Sequence, residues 1–251
     1  MINLYKANVA RLFKNVFFQI GLIIAAVVTF LFTRDKVPVF FLTGRSANDI
    51  MTFISCAMIF FFGIFAPLYL GAEYADGTFR NKLIVGYTQL QVYVANLLAL
   101  ITGEITMILV WFVTGIIAGA EVNSALITVL TVEIFAFAAW RAFLTFVGLR
   151  CKKSMSSDIW ALARMFLSFN WITFGNALMM NVKEGEFSIG QILYNIPAMG
   201  QWVSETVFCD PQVNPGLVIK VLISLCIIGI TTAMGISGIN KRDVNELGVF
   251  G

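Results

Sequence analysis

The stretch from Ile50 to Leu83 sets the architecture of this chain and reads IMTFISCAMIFFFGIFAPLYLGAEYADGTFRNKL. Its first part, Ile50–Leu70, carries no charged residue and has about the 20 mostly apolar residues that an α-helix needs to cross a bilayer. The part that follows turns polar at once and contains both acidic and basic side chains. The pattern predicts a spanning helix that ends in a short polar segment at the membrane surface.

The composition of the whole chain is typical of a membrane protein. Of its 251 residues, 59% are hydrophobic and 12% are charged, whereas soluble domains carry about 25% charged residues. The formal net charge of +3 is too small for a nucleic-acid-binding surface. The chain has no histidine, the commonest general base and metal ligand, and its four cysteines lie too far apart for a metal or redox motif. We therefore expect no catalytic site, no metal site, no cofactor in this chain and no nucleic-acid partner.

Six stretches of the sequence are long and apolar enough to cross a membrane, and they predict an all-α protein with six transmembrane helices. Residues 16–239 then form one membrane domain, preceded by residues 1–15 and followed by a tail of residues 240–251. An even number of spans puts both termini on the same side. The predicted spans are Val16–Phe32, Ile50–Leu70, Tyr93–Gly119, Ala125–Leu149, Ile159–Met180 and Leu217–Ile239.

The basic residues orient the predicted bundle. With both termini inside, the cytoplasmic segments hold ten lysines and arginines and the outer segments hold four, as the positive-inside rule requires. We therefore place both termini in the cytoplasm. The ten are Lys6, Arg11, Lys14, Arg80, Lys82, Arg150, Lys152, Lys153, Lys241 and Arg242, and the four are Arg34, Lys36, Arg45 and Lys183.

Two segments outside the spans are amphipathic or apolar. Residues 1–15 predict an amphipathic helix on the inner leaflet, either as a plain anchor or packed against a cytoplasmic partner. The outer segment 181–216 contains two apolar stretches, Ile189–Ile196 and Trp202–Phe208, which are too short to span. We expect two re-entrant helices in the outer leaflet between spans five and six, with a small extracellular cap as the alternative. The apolar face of the first helix is Ile2, Tyr5, Val9, Leu12 and Val16.

The cytoplasmic loop 71–92 predicts a short helix that begins at a cap formed by Asp76 or Thr78. Phe79, Leu83 and Tyr87 share one face at steps of four residues and form an apolar stripe. The basic residues of this helix remain on its polar rim. The pattern indicates a docking site for a partner protein, and a solvated loop is the alternative.

The run Glu73-Tyr-Ala-Asp-Gly-Thr-Phe-Arg-Asn-Lys-Leu83 resembles the Glu-x-x-x-Gly-Thr segment of type-two ABC exporter permeases. The layout is similar as well, with an amphipathic lead, six spans, a long apolar outer connection and a Lys241-Arg242-Asp243 tail. The likeness covers the plan of essentially the whole chain. It is close in residues around Glu73–Leu83 and at the tail.

This resemblance implies a permease of the bacterial plasma membrane that works in two copies, expected as a homodimer, with two separate ATPase subunits that bind ATP and Mg²⁺. The family places its coupling helix at Asp76–Lys82 and its re-entrant helices at Ile189–Phe208. The small layout is similar to the branch that exports peptides, lantibiotics or drugs. On this basis the residues expected to dock the ATPase are Glu73, Asp76, Thr78, Phe79, Arg80, Lys82, Leu83 and Tyr87.

The chain contains no phosphate-binding Gly-x-x-x-x-Gly-Lys-Ser/Thr motif, so active transport needs a partner or an ion gradient. Four charged residues fall in the interior of the predicted spans, namely Glu104, Glu133, Arg141 and Arg164, while Lys220 lies in the first turn of the last span. Glu104 and Arg141 lie about 16 and 12 Å from the cytoplasmic ends of their spans, so they are placed to pair.

We expect the membrane subunit of an ATP-driven exporter for amphipathic or hydrophobic peptides or drugs. The alternative is an ion-coupled carrier or channel that uses the intramembrane carboxylates.

Overall fold

A computed structural model describes residues 1–35, 44–150, 188–206 and 213–239, together with residues 159, 163, 166–168, 170–175 and 177. All regular secondary structure in these ranges is helical. We number the helices α1 to α10 in chain order. They are Ile2–Lys14, Val16–Asp35, Ala47–Ile54, Cys56–Ala75, Thr78–Ile84, Gln89–Ile117, Ser124–Arg150, Ile189–Tyr194, Ala198–Val203 and Leu217–Ile239.

Five helical segments are long and apolar enough to cross a membrane. They coincide with five of the six predicted spans, so the all-helical character and this membrane-spanning pattern are confirmed for the described residues. The predicted span Ile159–Met180 lies largely outside those residues, although 166–168 and 170–175 are helical. The tail 240–251 lies outside them entirely, and the side of each terminus stays a prediction. The five segments are Val16–Arg34, Ala47–Glu73, Gln89–Ile117, Ser124–Val147 and Leu217–Gly235.

The second candidate span differs from its prediction at both ends. It begins at Ala47, where Ser46 and Asp49 form a capping box, and it is interrupted at Ser55 between α3 and α4. Helix α4 then continues to Ala75. This extension places Glu73 in the last turn of a helix rather than in the loop, which sets the position of its side chain.

Helix α1 lies against α6 rather than standing apart on a membrane surface. Its buried positions are Leu4, Asn8 and Leu12, one turn apart along a single face. Leu12 reaches Gly103 of α6, where a Cβ atom would lie 2.6 Å from the leucine Cδ2, so a larger residue there would displace the leucine side chain. The face that packs on α6 therefore differs from the predicted apolar face, since Ile2 and Val16 are exposed and Asn8 is buried, and contact of the apolar face with the inner leaflet stays a prediction.

Helix α7 is the central element of the bundle and packs against α4, α6, α9 and α10. Its side chains Phe137, Trp140 and Leu144 are buried. They join a core that includes Phe62 and Phe65 of α4. Since α4 and α6 both contact α7, the two polar sites described below are held by helices of one packed unit.

Two short helices, α8 and α9, stand where the re-entrant pair is predicted. They are joined at Pro197, and Gly200 passes so close to the Tyr194 carbonyl that a side chain would not fit. The second helix begins at Ala198, earlier than the apolar stretch that starts at Trp202. The Trp202 indole donates hydrogen bonds to the Thr52 carbonyl and the Ser55 hydroxyl, so this helix pair is fixed to the break between α3 and α4. Its depth in a bilayer stays a prediction.

Two exposed valines test the predicted orientation. Val85 and Val122 lie in the turns before and after α6, whose 29 residues extend over about 44 Å. In a background without native cysteines, we expect Val122→Cys to react with a membrane-impermeant thiol reagent on intact cells. Val85→Cys should react only after permeabilisation, because the basic asymmetry places it inside. The opposite labelling pattern would reverse the topology.

Candidate functional site

The most highly bonded side chain at one end of the bundle is the carboxylate of Glu73. It is completely buried in the last turn of α4. Its Oε1 atom lies 2.6 Å from Nη2 of Arg11 on α1 and 2.5 Å from Nζ of Lys82 on α5. Its Oε2 atom accepts a hydrogen bond of 2.8 Å from the Asn96 amide on α6. One carboxylate thus joins four helices.

Asn8 and Tyr69 form a second layer of bonds around this carboxylate. The Asn8 amide donates to Asn96 Oδ1 at 2.7 Å, and Asn8 Oδ1 accepts from Lys82 Nζ at 3.0 Å. The Tyr69 hydroxyl accepts from Arg11 Nε at 3.0 Å and donates to the Asn8 carbonyl at 2.9 Å. The Arg11 guanidinium also lies 4.2 Å from the Tyr69 ring centre. We call these residues, Asn8, Arg11, Tyr69, Glu73, Lys82 and Asn96, the Glu73 network.

The Glu73 network contains two cations and one anion among its ionisable groups. Burial lowers the pKa of Lys82, and the neighbouring Glu73 carboxylate opposes that shift by stabilising the charged ammonium. Arg11 is about one-third exposed, so its charge is partly solvated. Because the carboxylate has no exposure, removal of its charge leaves both cations without the anion that stabilises them.

Helix α5 is held against the bundle by its apolar side as well. It begins after Gly77, whose positive φ of 66° turns the chain away from α4. Gly77 is the N-cap and no side chain caps the helix, so the predicted cap by Asp76 or Thr78 is wrong. Phe79 is 7% exposed and belongs to an apolar cluster with Leu4 of α1 and Tyr93 of α6.

The apolar stripe of α5 therefore faces the same chain. Leu83 and Tyr87 pack against the same cluster as Phe79. The sequence interpretation, in which Phe79 is the central anchor for a partner, does not agree with this burial. Docking at this segment stays a prediction, but the available surface is different. Arg80 and Asp76 are exposed, Thr78 is half-buried, and Ile84 and Val85 are 70% and 77% exposed.

A second polar site lies deeper in the bundle. Arg141 Nε of α7 donates to Glu104 Oε2 of α6 at 3.2 Å, and neither side chain is more than 2% exposed. The Arg141 guanidinium also lies 4.2 Å from the ring centre of Phe62. The pairing of Glu104 with Arg141 that their depths predict is therefore confirmed.

Glu133 is another buried charged residue of the described spans, and it lies on α7. It is 1% exposed, and no lysine or arginine among the described residues forms an ion pair with its carboxylate, which lies near the Ser55 hydroxyl. The same hydroxyl donates to the Thr52 carbonyl. Arg164 lies outside the described residues. In the part of the chain that is described, no three cysteine, aspartate or glutamate side chains group as metal ligands do.

Sequence analysis missed four members of the Glu73 network: Asn8, Arg11 as a partner, Tyr69 and Asn96. The signal was present, since an asparagine within a predicted span needs a polar partner as much as a charged residue does. Only ionisable residues were counted as intramembrane polar groups. Asn8 is polar, so hydropathy alone predicts that it lies on the solvated face of its helix.

The chain matches no protein-family model, and the search of curated proteins finds no match. A functional proposal for this chain therefore depends on the geometry of the two polar sites and on the resemblance around Glu73.

Glu73→Gln tests whether the network holds the helices together. The substitution keeps the shape but removes the negative charge that faces Arg11 and Lys82. We expect the free energy of unfolding to fall by about 2 kcal/mol or more, because hydrogen bonds to charged groups are worth about that much. Amide exchange in α1 should also become faster. Glu121→Gln, at an exposed turn, is the matched control, and equal stability of the two variants would contradict the network's role.

A double-mutant cycle tests the buried ion pair. Glu104→Gln and Arg141→Met should each destabilise the protein by about 3 kcal/mol, because each leaves the other charge unpaired. The double variant should recover part of that loss, and unfolding in mixed detergent measures the coupling energy. The same cycle with Glu121 in place of Glu104 should show none. A coupling energy near zero for the Glu104 cycle would mean that the pair contributes nothing.

Proposed function

We propose that this chain is the membrane permease subunit of an ATP-driven exporter that moves amphipathic or hydrophobic peptides or drugs out of the cell. Two copies would form the pathway in the bacterial plasma membrane, and two separate ATPase subunits would bind ATP and Mg²⁺. The permease itself would catalyse no bond chemistry. It would alternate between two conformations with different affinities for the cargo.

The observation that carries this proposal is the attachment of α5 by the Glu73 network. Lys82 of α5 contacts Glu73 at the end of α4 and Asn8 of α1, while Asn96 of α6 binds the same carboxylate. A displacement of α5 is therefore transmitted to two candidate spans through short polar contacts. Transmission of this kind is what a coupling helix requires, and the Glu-x-x-x-Gly-Thr run lies at the same place.

The exposed side of α5 is the surface proposed for the ATPase. Ile84 and Val85 form an apolar tip, and Arg80 is exposed beside it. Apolar side chains at the centre of an interface contribute most of its affinity, whereas charges at the rim mainly adjust the association rate. Phe79 then acts indirectly, because it fixes α5 on α1 and α6.

A proton-coupled carrier is the second candidate, and the carboxylate of Glu133 favours it. A buried carboxylate without a cationic partner in the described part of the chain is suited to binding and releasing a proton. In that case no ATPase would be needed. A transport assay with the proton gradient collapsed distinguishes the two candidates.

Ile84→Ser combined with Val85→Ser tests the exporter proposal. We expect the variant to insert and fold normally but to lose co-purification with an ATPase subunit encoded beside it, together with cargo-stimulated ATP hydrolysis. Val122→Ser, a valine that is 61% exposed at the other end of α6, is the matched control. Normal assembly and coupling in the double variant would contradict the proposal. Loss of transport on collapse of the proton gradient, with ATP unchanged, would favour the carrier.

A further inference from the structure

The carboxylate of Glu133 on α7 lies beneath the short helix α9. Two groups near it, the Ser55 hydroxyl and the Cys56 thiol, stand at the break between α3 and α4. Both groups also contact α9: Ser55 accepts a hydrogen bond of 3.0 Å from the Trp202 indole, and Cys56 Sγ lies 4.0 Å from Sδ of Met199. Helix α9 packs directly on α7 as well. Because Glu133 is 1% exposed, α9 is part of the cover that keeps water from its carboxylate.

The cations of the neighbouring helices are paired with other carboxylates. Lys220 of α10 forms an ion pair with Glu205, and Arg141, two turns further along α7, is paired with Glu104. The charged group that acts on Glu133 is the Glu205 carboxylate, just after α9, and it repels a negative charge at Glu133. A buried carboxylate that lacks both a cation and water is strongly disfavoured in its ionised form. The arrangement with α9 in place therefore favours a neutral Glu133.

Helices α8 and α9 are bonded to each other as one unit. The Ser204 hydroxyl donates to Asn195 Oδ1 at 3.0 Å, and the Gln201 amide donates to the Asn195 carbonyl at 2.9 Å. These bonds connect the two helices across Pro197. The pair therefore keeps its own hydrogen bonds when it shifts as a whole.

Polar side chains attach α9 to the bundle on two sides. On one side the Trp202 indole binds the break between α3 and α4. On the other, Gln201 and Glu205, one turn apart, meet Ser224 and Lys220, which are one turn apart on α10. The Glu205 side chain is 11% exposed, whereas that of Lys220 has no exposure, so water reaches this layer at the Glu205 end. A movement of α9 away from α7 would extend that access to Glu133.

We propose that Glu133 and the α8–α9 pair form a proton-controlled gate. The pair stays docked while the Glu133 carboxyl carries a proton, and it moves away from α7 when the carboxyl releases that proton to water. The docked arrangement repels an ionised Glu133 through Glu205, whereas the open arrangement hydrates it. The gate extends the carrier candidate, because it assigns the movement that accompanies proton binding, and it is compatible with an exporter as well.

The reaction of Cys56 with a water-soluble thiol reagent measures the opening of the gate. The full-length chain, with Cys151, Cys209 and Cys226 changed to serine, is reconstituted in vesicles. The rate is followed from about pH 5 to about pH 9, a range in which buried glutamates lose their protons. Glu133→Gln keeps the shape but cannot ionise, so it should stay closed. We expect the parent to match Glu133→Gln at acidic pH and to react at least about tenfold faster at alkaline pH, since one released proton shifts the opening equilibrium by up to about tenfold per pH unit.

The direct electrostatic effect of Glu133 on the thiol has the opposite sign. The thiolate is the reactive form of cysteine, and an ionised Glu133 disfavours a second negative charge at Cys56. By itself, this effect would make the parent react more slowly than Glu133→Gln at alkaline pH. A faster parent therefore reports a movement of α9 rather than a change in the chemistry of the thiol.

Two variants and a second measurement complete the test. Trp202→Phe removes the indole donor and should make Cys56 reactive over the whole pH range, as an undocked α9 predicts. Glu121→Gln, at an exposed turn, is the matched control and should follow the parent. Hydrogen exchange of the α8 and α9 amides is compared between the parent and Glu133→Gln at each pH. We expect protection to fall in the parent alone, at alkaline pH.

Equal amide protection of α8 and α9 in the parent and Glu133→Gln at every pH would overturn the gate. A parent whose Cys56 reacts no faster than that of Glu133→Gln at alkaline pH, while Trp202→Phe is reactive, would do the same. Neither result decides between the two candidate functions, because assembly with an ATPase and transport without a proton gradient are measured separately.

Discussion

The burial of the Glu73 carboxylate is the constraint on which one end of this molecule depends. Removal of a carboxylate from water costs several kcal/mol unless cations and hydrogen-bond donors replace the water. Arg11, Lys82 and Asn96 are those replacements, and they come from α1, α5 and α6. A single charge at the end of α4 therefore determines where three other helices lie. It also explains why α1 buries an asparagine, because Asn8 bonds both Lys82 and Asn96.

The two ends of the bundle are held together by different interactions. At the Glu73 end the partners are charged, so the contacts respond to any change that adds or removes a charge. At the other end, α8 and α9 are fixed mainly by neutral groups: the Trp202 indole binds the Thr52 carbonyl, and the Asn195 amide binds the Gln191 and Val213 carbonyls. Lys220 and Glu205 add one ion pair there. Between the ends, Glu104 and Arg141 connect α6 to the central α7.

The difference between the predicted and observed roles of Phe79 has a physical cause. Spacing of apolar side chains identifies which side of a helix avoids water, but it does not identify what covers that side. The sequence interpretation gives Phe79 and Leu83 to a partner ATPase because the resemblance implies a coupling helix at this place. In the folded chain, side chains of α1 and of the first turns of α6 pack against α5, so its apolar stripe is covered within the molecule. The exposed apolar tip at Ile84 and Val85 follows from that arrangement.

The sequence by itself determined the helical class, the location of five candidate spans to within four residues at each end, and the pairing of Glu104 with Arg141. These follow from local properties, namely the number of consecutive apolar residues and the depth of a residue along its own helix. Only the tertiary structure decided the Glu73 network and the buried face of α1. The Asn8–Asn96 and Arg11–Glu73 contacts join residues far apart in the chain. A buried polar side chain is stabilised by the particular group that meets it, and that group is set by how the helices pack rather than by any neighbouring stretch of sequence.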